Sequence, residues 1–182
     1  MLKPETKTYH ARSFLVPKAH EATLKQEVER LVQLGVLKCV NCSGQAAPTL
    51  IIPKKDETVC FILGFIQLND RIRHKAYPIS KIQDLLLKLE GSQHAMSLYL
   101  NMGYYHTEHS PFSKQLCSIV LPWGKYEYQR LPIGLCNSPD IFQKKRSSLV
   151  HDLEYCRACI HNVLILIQGD WSLHLEQLNI VL

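Results

Sequence analysis

Two cysteine pairs have the C-x-x-C spacing of zinc-binding motifs. Cys39 stands with Cys42, and Cys156 with Cys159, among seven cysteines in 182 residues. Zinc ribbons place two such pairs about 15–20 residues apart, whereas these pairs lie in opposite parts of the chain. The second pair also falls in a predicted strand, where residues three apart point to opposite faces. We therefore predict thiols without a metal site.

A second candidate is the polar pair His161-Asn162 in the stretch "RACIHNVLILIQ". Two short apolar runs flank the pair, which is typical of a β-hairpin with a tight turn, because Asn tolerates the left-handed backbone that such turns require. The tip could be a solvated turn. It could also present chemistry from a rigid support.

Composition excludes several classes of protein. The 46% apolar and 20% charged residues are those of a globular chain, and the net charge of +5 is compatible with a nucleic-acid partner. No apolar run approaches the roughly 20 residues of a membrane span. The N-terminus lacks the apolar core of a signal peptide. We expect an intracellular protein with no membrane partner.

Periodicity predicts a mixed α+β fold. Each predicted helix combines an apolar stripe with a capping or stop residue, such as Gly35 after the first and Asp170 before the last. Apolar runs around turn residues predict the strands. The predicted helices cover 20–35, 80–89, 138–153 and 170–182, and the strands lie within 49–65, 94–105, 117–132 and 157–168.

Four segments in this order carry a resemblance to a known family. They are "AAPTLIIPKKDETVCFILGFIQLND", "YPISKIQDLL", "SLYLNMGYYH" and "LPIGLCNSPDIFQ". From about Tyr9 to its end the chain resembles the fingers and palm of a reverse transcriptase from a gypsy-type long-terminal-repeat retrotransposon. The resemblance implies an antiparallel palm sheet with helices on one face. It also implies RNA-directed DNA polymerisation as the activity of the family, and places the family's Asp-Asp turn at the hairpin of His161-Asn162.

The family's catalytic carboxylates are replaced in this chain. Nucleotidyl transfer uses two divalent cations about 3.5–4 Å apart, and hard cations such as Mg²⁺ prefer carboxylate oxygens. The resemblance places the three catalytic Asp positions at Tyr99, His161 and Asn162. We therefore expect an inactive copy that uses no cofactor, although the family uses two Mg²⁺. On the plain alternative, Tyr99 is an aromatic packed on a sheet, and the His-Asn pair is a turn or an adventitious transition-metal site.

The nucleotide site implied by the family is partly retained. Lys54 matches a lysine that contacts the triphosphate, Tyr104 matches the aromatic that excludes a 2′-hydroxyl, and Ile133 with Gly134 matches the floor beside nucleotide and template. Cys60 stands where the family has a basic residue. Two further positions differ from the family pattern: Gly64 stands where the family has an acidic residue, and Ile66 stands where it has an arginine. Tyr104 could equally be a core aromatic.

Basic residues offer a nucleic-acid surface. Lys55, Arg71, Arg73 and Lys75 are candidates to contact a phosphate backbone, although a charge run is more often a solvated face. We expect at most weak binding of RNA or DNA without sequence preference, and no small-molecule substrate. Lys144, Lys145 and Arg146 are expected to line an exposed helical side.

Three functions follow as alternatives. The first is a degenerate reverse-transcriptase domain without catalysis, because the replacements remove the catalytic residues and leave the pattern of apolar residues recognisable. The second is a retained nucleic-acid-binding or interaction module, and the third is an active polymerase. We expect fingers mainly at about 19–80 and 112–135, palm mainly at about 81–111 and 136–182, and no thumb in a truncated copy.

Overall fold

The computed structural model describes Lys3 and residues 8–53, 59–79 and 91–182, with the backbone alone for Pro53, Val59 and Cys60. The chain divides into two compact units. The first contains the residues up to His74 together with Tyr104–Ser138, and the second contains Lys75–Gly103 with Pro139–Leu182.

The first unit begins with the predicted amphipathic helix α1, Lys18–Gln33. Its apolar stripe of Leu24, Val28 and Leu31 is buried. The helix ends where Gly35 adopts a positive φ of 66°, a conformation that glycine adopts without the steric penalty of a Cβ. The first helix and its stop residue are therefore as the sequence predicts.

A five-stranded sheet also belongs to this unit, with strands β1 Leu37–Val40, β2 Ala47–Pro53, β3 Val59–Leu63, β5 Ser118–Leu121 and β6 Gly124–Tyr128. Their order across the sheet is β1-β6-β5-β2-β3. The β2–β3 pair is antiparallel with Leu50 opposite Ile62, as expected for the predicted hairpin, and β2 runs parallel to β5 over a short contact.

The described part of the unit also contains a short helix α2, Ile66–Asn69, and helix α3, Pro111–Leu116. Asn69 ties α2 to a distant loop: its side-chain NH₂ donates to the Gly134 carbonyl at 2.8 Å, and its side-chain oxygen accepts from the Cys136 N–H at 2.9 Å. Gly134 itself has a φ of 100°. The loop of Ile133 and Gly134 is thus positioned by one asparagine.

The second unit is built on a three-stranded antiparallel sheet, in the order β4-β8-β7. These strands are β4 His94–Tyr99, β7 Cys156–Cys159 and β8 Asn162–Ile167. One face is apolar, because alternate residues of a strand share a face. It carries Val163, Ile165 and Ile167, which form a buried cluster with Cys156.

The described residues of this unit contain the helices α4, Ser138–Leu149, and α5, Trp171–Val181. Leu178 and Val181 of α5 pack on the buried cluster, as does Val150 just beyond α4. The Asp170 side chain accepts from the Leu173 N–H, so the predicted cap of α5 is confirmed. Helix α4 ends four residues before the predicted limit of residue 153, and the predicted helix over 80–89 lies outside the described residues.

The predicted α+β class is confirmed, with antiparallel strands dominating both sheets. Among the described residues, no helix has the length and apolar character needed to cross a membrane. The assignment of residue ranges to fingers and palm stays a prediction.

Candidate active site

The β7–β8 hairpin turns one residue earlier than its sequence suggests. The sequence predicts a turn at His161-Asn162, but Cys159 pairs with Asn162, so the turn is Ile160-His161 and Asn162 begins β8. Ile160, not Asn162, has the positive φ, at 40°. This is an unfavourable conformation for a β-branched residue.

Two side chains of α4 explain the position of the turn. Gln143 accepts a hydrogen bond from the Ile160 N–H through its side-chain oxygen at 2.7 Å, and Arg146 Nη1 donates to the Ile160 carbonyl. Both backbone groups of Ile160 are therefore satisfied by a helix and not by a strand. The interaction of Ile160 with α4 overrides the local preference of Asn for the turn.

Tyr99, His161 and Asn162 come together at this tip. Tyr99 lies directly opposite Asn162 across β4 and β8, which places their side chains on the same face. The rings of Tyr99 and His161 are 5.9 Å apart between centroids, and the His161 carbonyl accepts from the Leu100 N–H at 2.9 Å. The structure thus brings together the three positions that the family resemblance selects, and their catalytic role stays a prediction.

These three side chains do not fit a pair of Mg²⁺ ions. A phenol, an imidazole and an amide supply no carboxylate, and the Asn162 side-chain oxygen already accepts from Ser97 Oγ at 3.4 Å. Burial, and then the nearby charge of Arg146, lower the pKa of His161. No group of three or more His, Cys, Asp or Glu able to hold a metal occurs in the part of the chain that the structure describes.

Arg146 corrects the expectation of an exposed helical side at Lys144, Lys145 and Arg146. The two lysines are exposed, but Arg146 is only 4% exposed and its guanidinium lies 5.4 Å from the centre of the Phe142 ring. Spacing could have indicated this, since residues 142, 146 and 150 follow one helical stripe whose other members, Phe142 and Val150, are apolar. The sequence therefore predicts exposure for Arg146 from its charge, although its position lies on the buried face of α4.

Gln143 is the other site residue that the sequence analysis missed. It is buried, its NH₂ donates to the Ala158 carbonyl at 2.7 Å, and its oxygen takes the Ile160 N–H described above. A glutamine inside a helix carries no distinctive signal in one sequence. Its place on the stripe beside Phe142 is the one available indication.

The predicted nucleotide-site residues that the structure describes belong to the first unit. Tyr104 is buried there, and burial raises its pKa, as expected for the alternative of a core aromatic. Ile133 is exposed, next to Gly134 with its positive φ. The backbone of Cys60 pairs with Ile52 in the sheet.

The predicted nucleic-acid residues are only partly described. Lys54 and Lys55 lie outside the described residues, whereas Arg73 and Lys75 are exposed. Arg71 is half-buried, with its guanidinium 5.8 Å from the centre of the Tyr9 ring. Their contact with a phosphate backbone stays a prediction.

The two C-x-x-C pairs differ in their surroundings. Cys156 is buried in the apolar cluster, while Cys159 is half-buried and points to the other face, as the strand argument predicts. Cys39 and Cys42 are both exposed.

Comparison with known sequences finds relatives among retrotransposon polyproteins, although no family model matches. The chain is 28% identical to the retrovirus-related Pol polyprotein from transposon opus of Drosophila melanogaster over 182 residues, which is 95% of this chain and 18% of that protein. It is 25% identical to the Pol polyprotein from transposon gypsy of the same organism over 167 residues, 87% of this chain and 16% of that protein. The chain therefore spans less than a fifth of these relatives.

Solved structures show the same fold. The prototype foamy virus protease-reverse transcriptase superposes with a TM-score of 0.87 at 21% identity, covering 97% of this chain and 24% of that one. The foamy viral protein in complex with an RNA/DNA hybrid gives a TM-score of 0.88 at 18% identity, with the same coverage. The fold class predicted from sequence is that of the fingers and palm in these proteins.

The contacts of Gln143 generate a stability prediction. Gln143→Leu removes the partners of the Ala158 carbonyl and the Ile160 N–H, and a buried unpaired group costs about 1–3 kcal/mol. We expect urea denaturation to show a loss of about 2–4 kcal/mol, together with faster hydrogen exchange at the Ile160 N–H. The matched control is Lys144→Leu at the neighbouring exposed position, which should change stability little. An unchanged unfolding midpoint in Gln143→Leu would show that α4 does not hold the turn.

Proposed function

We propose that this chain, a reverse-transcriptase-like domain related to retrotransposon Pol polyproteins, does not catalyse DNA polymerisation. The observation that carries the proposal is the convergence of Tyr99, His161 and Asn162 at the hairpin tip. By the family resemblance, these side chains stand at the positions where two-cation chemistry requires carboxylates. Neutral ligands of this kind neither neutralise hard cations nor hold them close together.

The electrostatics of the tip oppose a divalent cation further. Burial, and then the positive charge of the nearby Arg146 guanidinium, lower the pKa of the His161 imidazole. The same positive charge repels a metal ion placed at that tip, because Coulomb interactions are strong where water is partly excluded. The site therefore lacks negative ligands and contains a fixed positive charge.

A second departure is built into the first unit. Gly64 stands where the family has an acidic residue, and a Cβ added there would lie 2.8 Å from Pro48 Cγ and 2.9 Å from the Pro48 carbonyl oxygen. Side chains do not approach a backbone that closely, so this backbone does not accept an acidic residue without moving. Ile66, at the family's arginine position, exposes 72% of its surface. Apolar surface there cannot replace a cation that contacts phosphate.

Primer extension tests the proposal. The purified chain should extend no primer with Mg²⁺ or Mn²⁺. Tyr99→Asp, His161→Asp and Asn162→Asp made together should also give no extension, because Cys60 cannot neutralise a triphosphate as a cation would and such contacts stabilise charge in the transition state.

An active reverse transcriptase and a mock purification serve as the positive and negative controls. Template-dependent extension by the unmodified chain, abolished by a chelator, would overturn the proposal. Extension by the triple variant alone would show that the missing carboxylates are the whole deficit.

A second candidate function is binding of a nucleic-acid backbone without metal. The related foamy viral structures contain double-stranded DNA or an RNA/DNA hybrid. In this chain the net charge is +5, and Arg73 and Lys75 are exposed. Phosphate contacts of this type supply affinity without sequence preference.

Salt dependence tests the second candidate. Binding to a labelled duplex should be weak, insensitive to chelators, and should fall steeply between about 50 mM and 200 mM salt. Arg73→Gln with Lys75→Gln should lower the salt slope by about 2, since each phosphate contact adds roughly one unit.

The matched control is Lys144→Gln with Lys145→Gln, which removes the same charge from α4 and should leave most of the affinity. Equal losses of affinity in both double variants would show that binding depends on the net charge alone and not on Arg73 and Lys75. Nucleic-acid binding that requires Mg²⁺ would contradict this second candidate function.

A further inference from the structure

We propose that Arg146 forms an oxyanion site beneath the tip of the β7–β8 hairpin, and that its ligand is a phosphate group. The inference goes beyond the proposed lack of catalysis, because it assigns a ligand to a residue that neither the family resemblance nor the polymerase chemistry uses.

The first argument is the environment of the guanidinium. Arg146 is 4% exposed, and its Nη1 donates to the Ile160 carbonyl. Its Nη2 is buried and has no hydrogen-bond partner. Among the described residues, no Asp or Glu forms an ion pair with it; the ion pairs found there join other residues. Arg146 is thus a buried cation with an unused donor.

The second argument is energetic. Burial lowers the pKa of Arg146, but an arginine side chain stays charged in proteins at neutral pH. A buried charge without an ion-pair partner is destabilising, and an unpaired N–H is destabilising as well. An anion that accepts from Nη2 would offset both.

The third argument is what surrounds the guanidinium. Side chains beside the guanidinium include the Phe142 ring, the His161 imidazole and the Cys159 thiol, and none of these is a carboxylate that would repel an anion. The imidazole and the thiol can donate hydrogen bonds. A phosphate offers several oxygens and matches the planar fork of an arginine, so it suits this set of donors.

The route of entry follows from exposure. Nη2 is shielded from solvent in the described structure, whereas Tyr99 is 68% exposed and Asn162 is also exposed. The rings of His161 and Phe142 lie 5.9 Å apart, and Arg146 lies over the same Phe142 ring. Rotation of the His161 side chain would open the guanidinium to an anion that approaches from the tip.

The test is the stability of the full chain in inorganic phosphate at constant ionic strength. Above the dissociation constant of one site, each tenfold rise in phosphate should raise the folding equilibrium constant about tenfold. Arg146→Met should remove this dependence, because it deletes the guanidinium that binds the anion. Lys144→Met is the matched control and should keep the full dependence.

Several outcomes would overturn the proposal. They are the absence of phosphate dependence in the unmodified chain, or equal dependence in Arg146→Met. If Arg146→Met does not fold, titration calorimetry with phosphate compares the unmodified chain with Arg146→Lys. One phosphate site whose affinity falls at least about tenfold in the lysine variant supports the proposal, because lysine lacks the bidentate fork of arginine. The absence of any heat of phosphate binding rejects the proposal.

A competition experiment identifies the source of the phosphate. If inorganic phosphate displaces a short oligonucleotide from the unmodified chain but not from Arg146→Met, the ligand is a nucleic-acid backbone. If phosphate stabilises the chain without displacing the oligonucleotide, the ligand is a free phosphate. Both results support the oxyanion site, and neither depends on the outcome of the primer-extension assay.

Discussion

The backbone N–H and carbonyl of Ile160 form their hydrogen bonds outside the sheet, and the arrangement of the site depends on the side chains that supply these bonds. The Gln143 side-chain oxygen accepts a hydrogen bond from the Ile160 N–H, and Arg146 Nη1 donates to the Ile160 carbonyl, so one turn of α4 fixes where the hairpin reverses. That position sets the pairing of Asn162 with both Cys159 and Tyr99. A left-handed Ile160 persists because its surroundings determine it, as is common where a structure holds a site in place.

The same helix protects the edge of the sheet. Strand β7 is an edge strand, and unpaired edge groups favour association with other chains. The Gln143 NH₂ donates a hydrogen bond to the Ala158 carbonyl, and Arg157 Nη1 donates to the Cys156 carbonyl at 2.7 Å. Positioning of the tip and protection of the edge are therefore carried by neighbouring side chains. A substitution in this part of α4 should affect both.

The sequence predicts most of the elements because their signals are local. Helix α1 with its glycine stop, the β2–β3 hairpin and the cap at Asp170 all follow from periodicity and turn chemistry, and the structure has each of them. The convergence of Tyr99 with His161 is not local, and it was reached only through the family resemblance. The sequence predicts the turn one residue too late, because the interaction that fixes it comes from α4. It predicts a surface position for Arg146, because the charge of the residue outweighs its position on an apolar stripe.

Direct measurement of metal binding tests the central claim, which is that the hairpin tip has a resident positive charge and no carboxylate ligands for a divalent cation. Mn²⁺ titration of the full chain, followed by electron paramagnetic resonance, counts bound ions without requiring activity. The account predicts no Mn²⁺ site at the tip and no selective broadening of the His161 resonances in a parallel NMR titration. One or two bound ions that broaden His161 and are lost in His161→Ala would contradict the account.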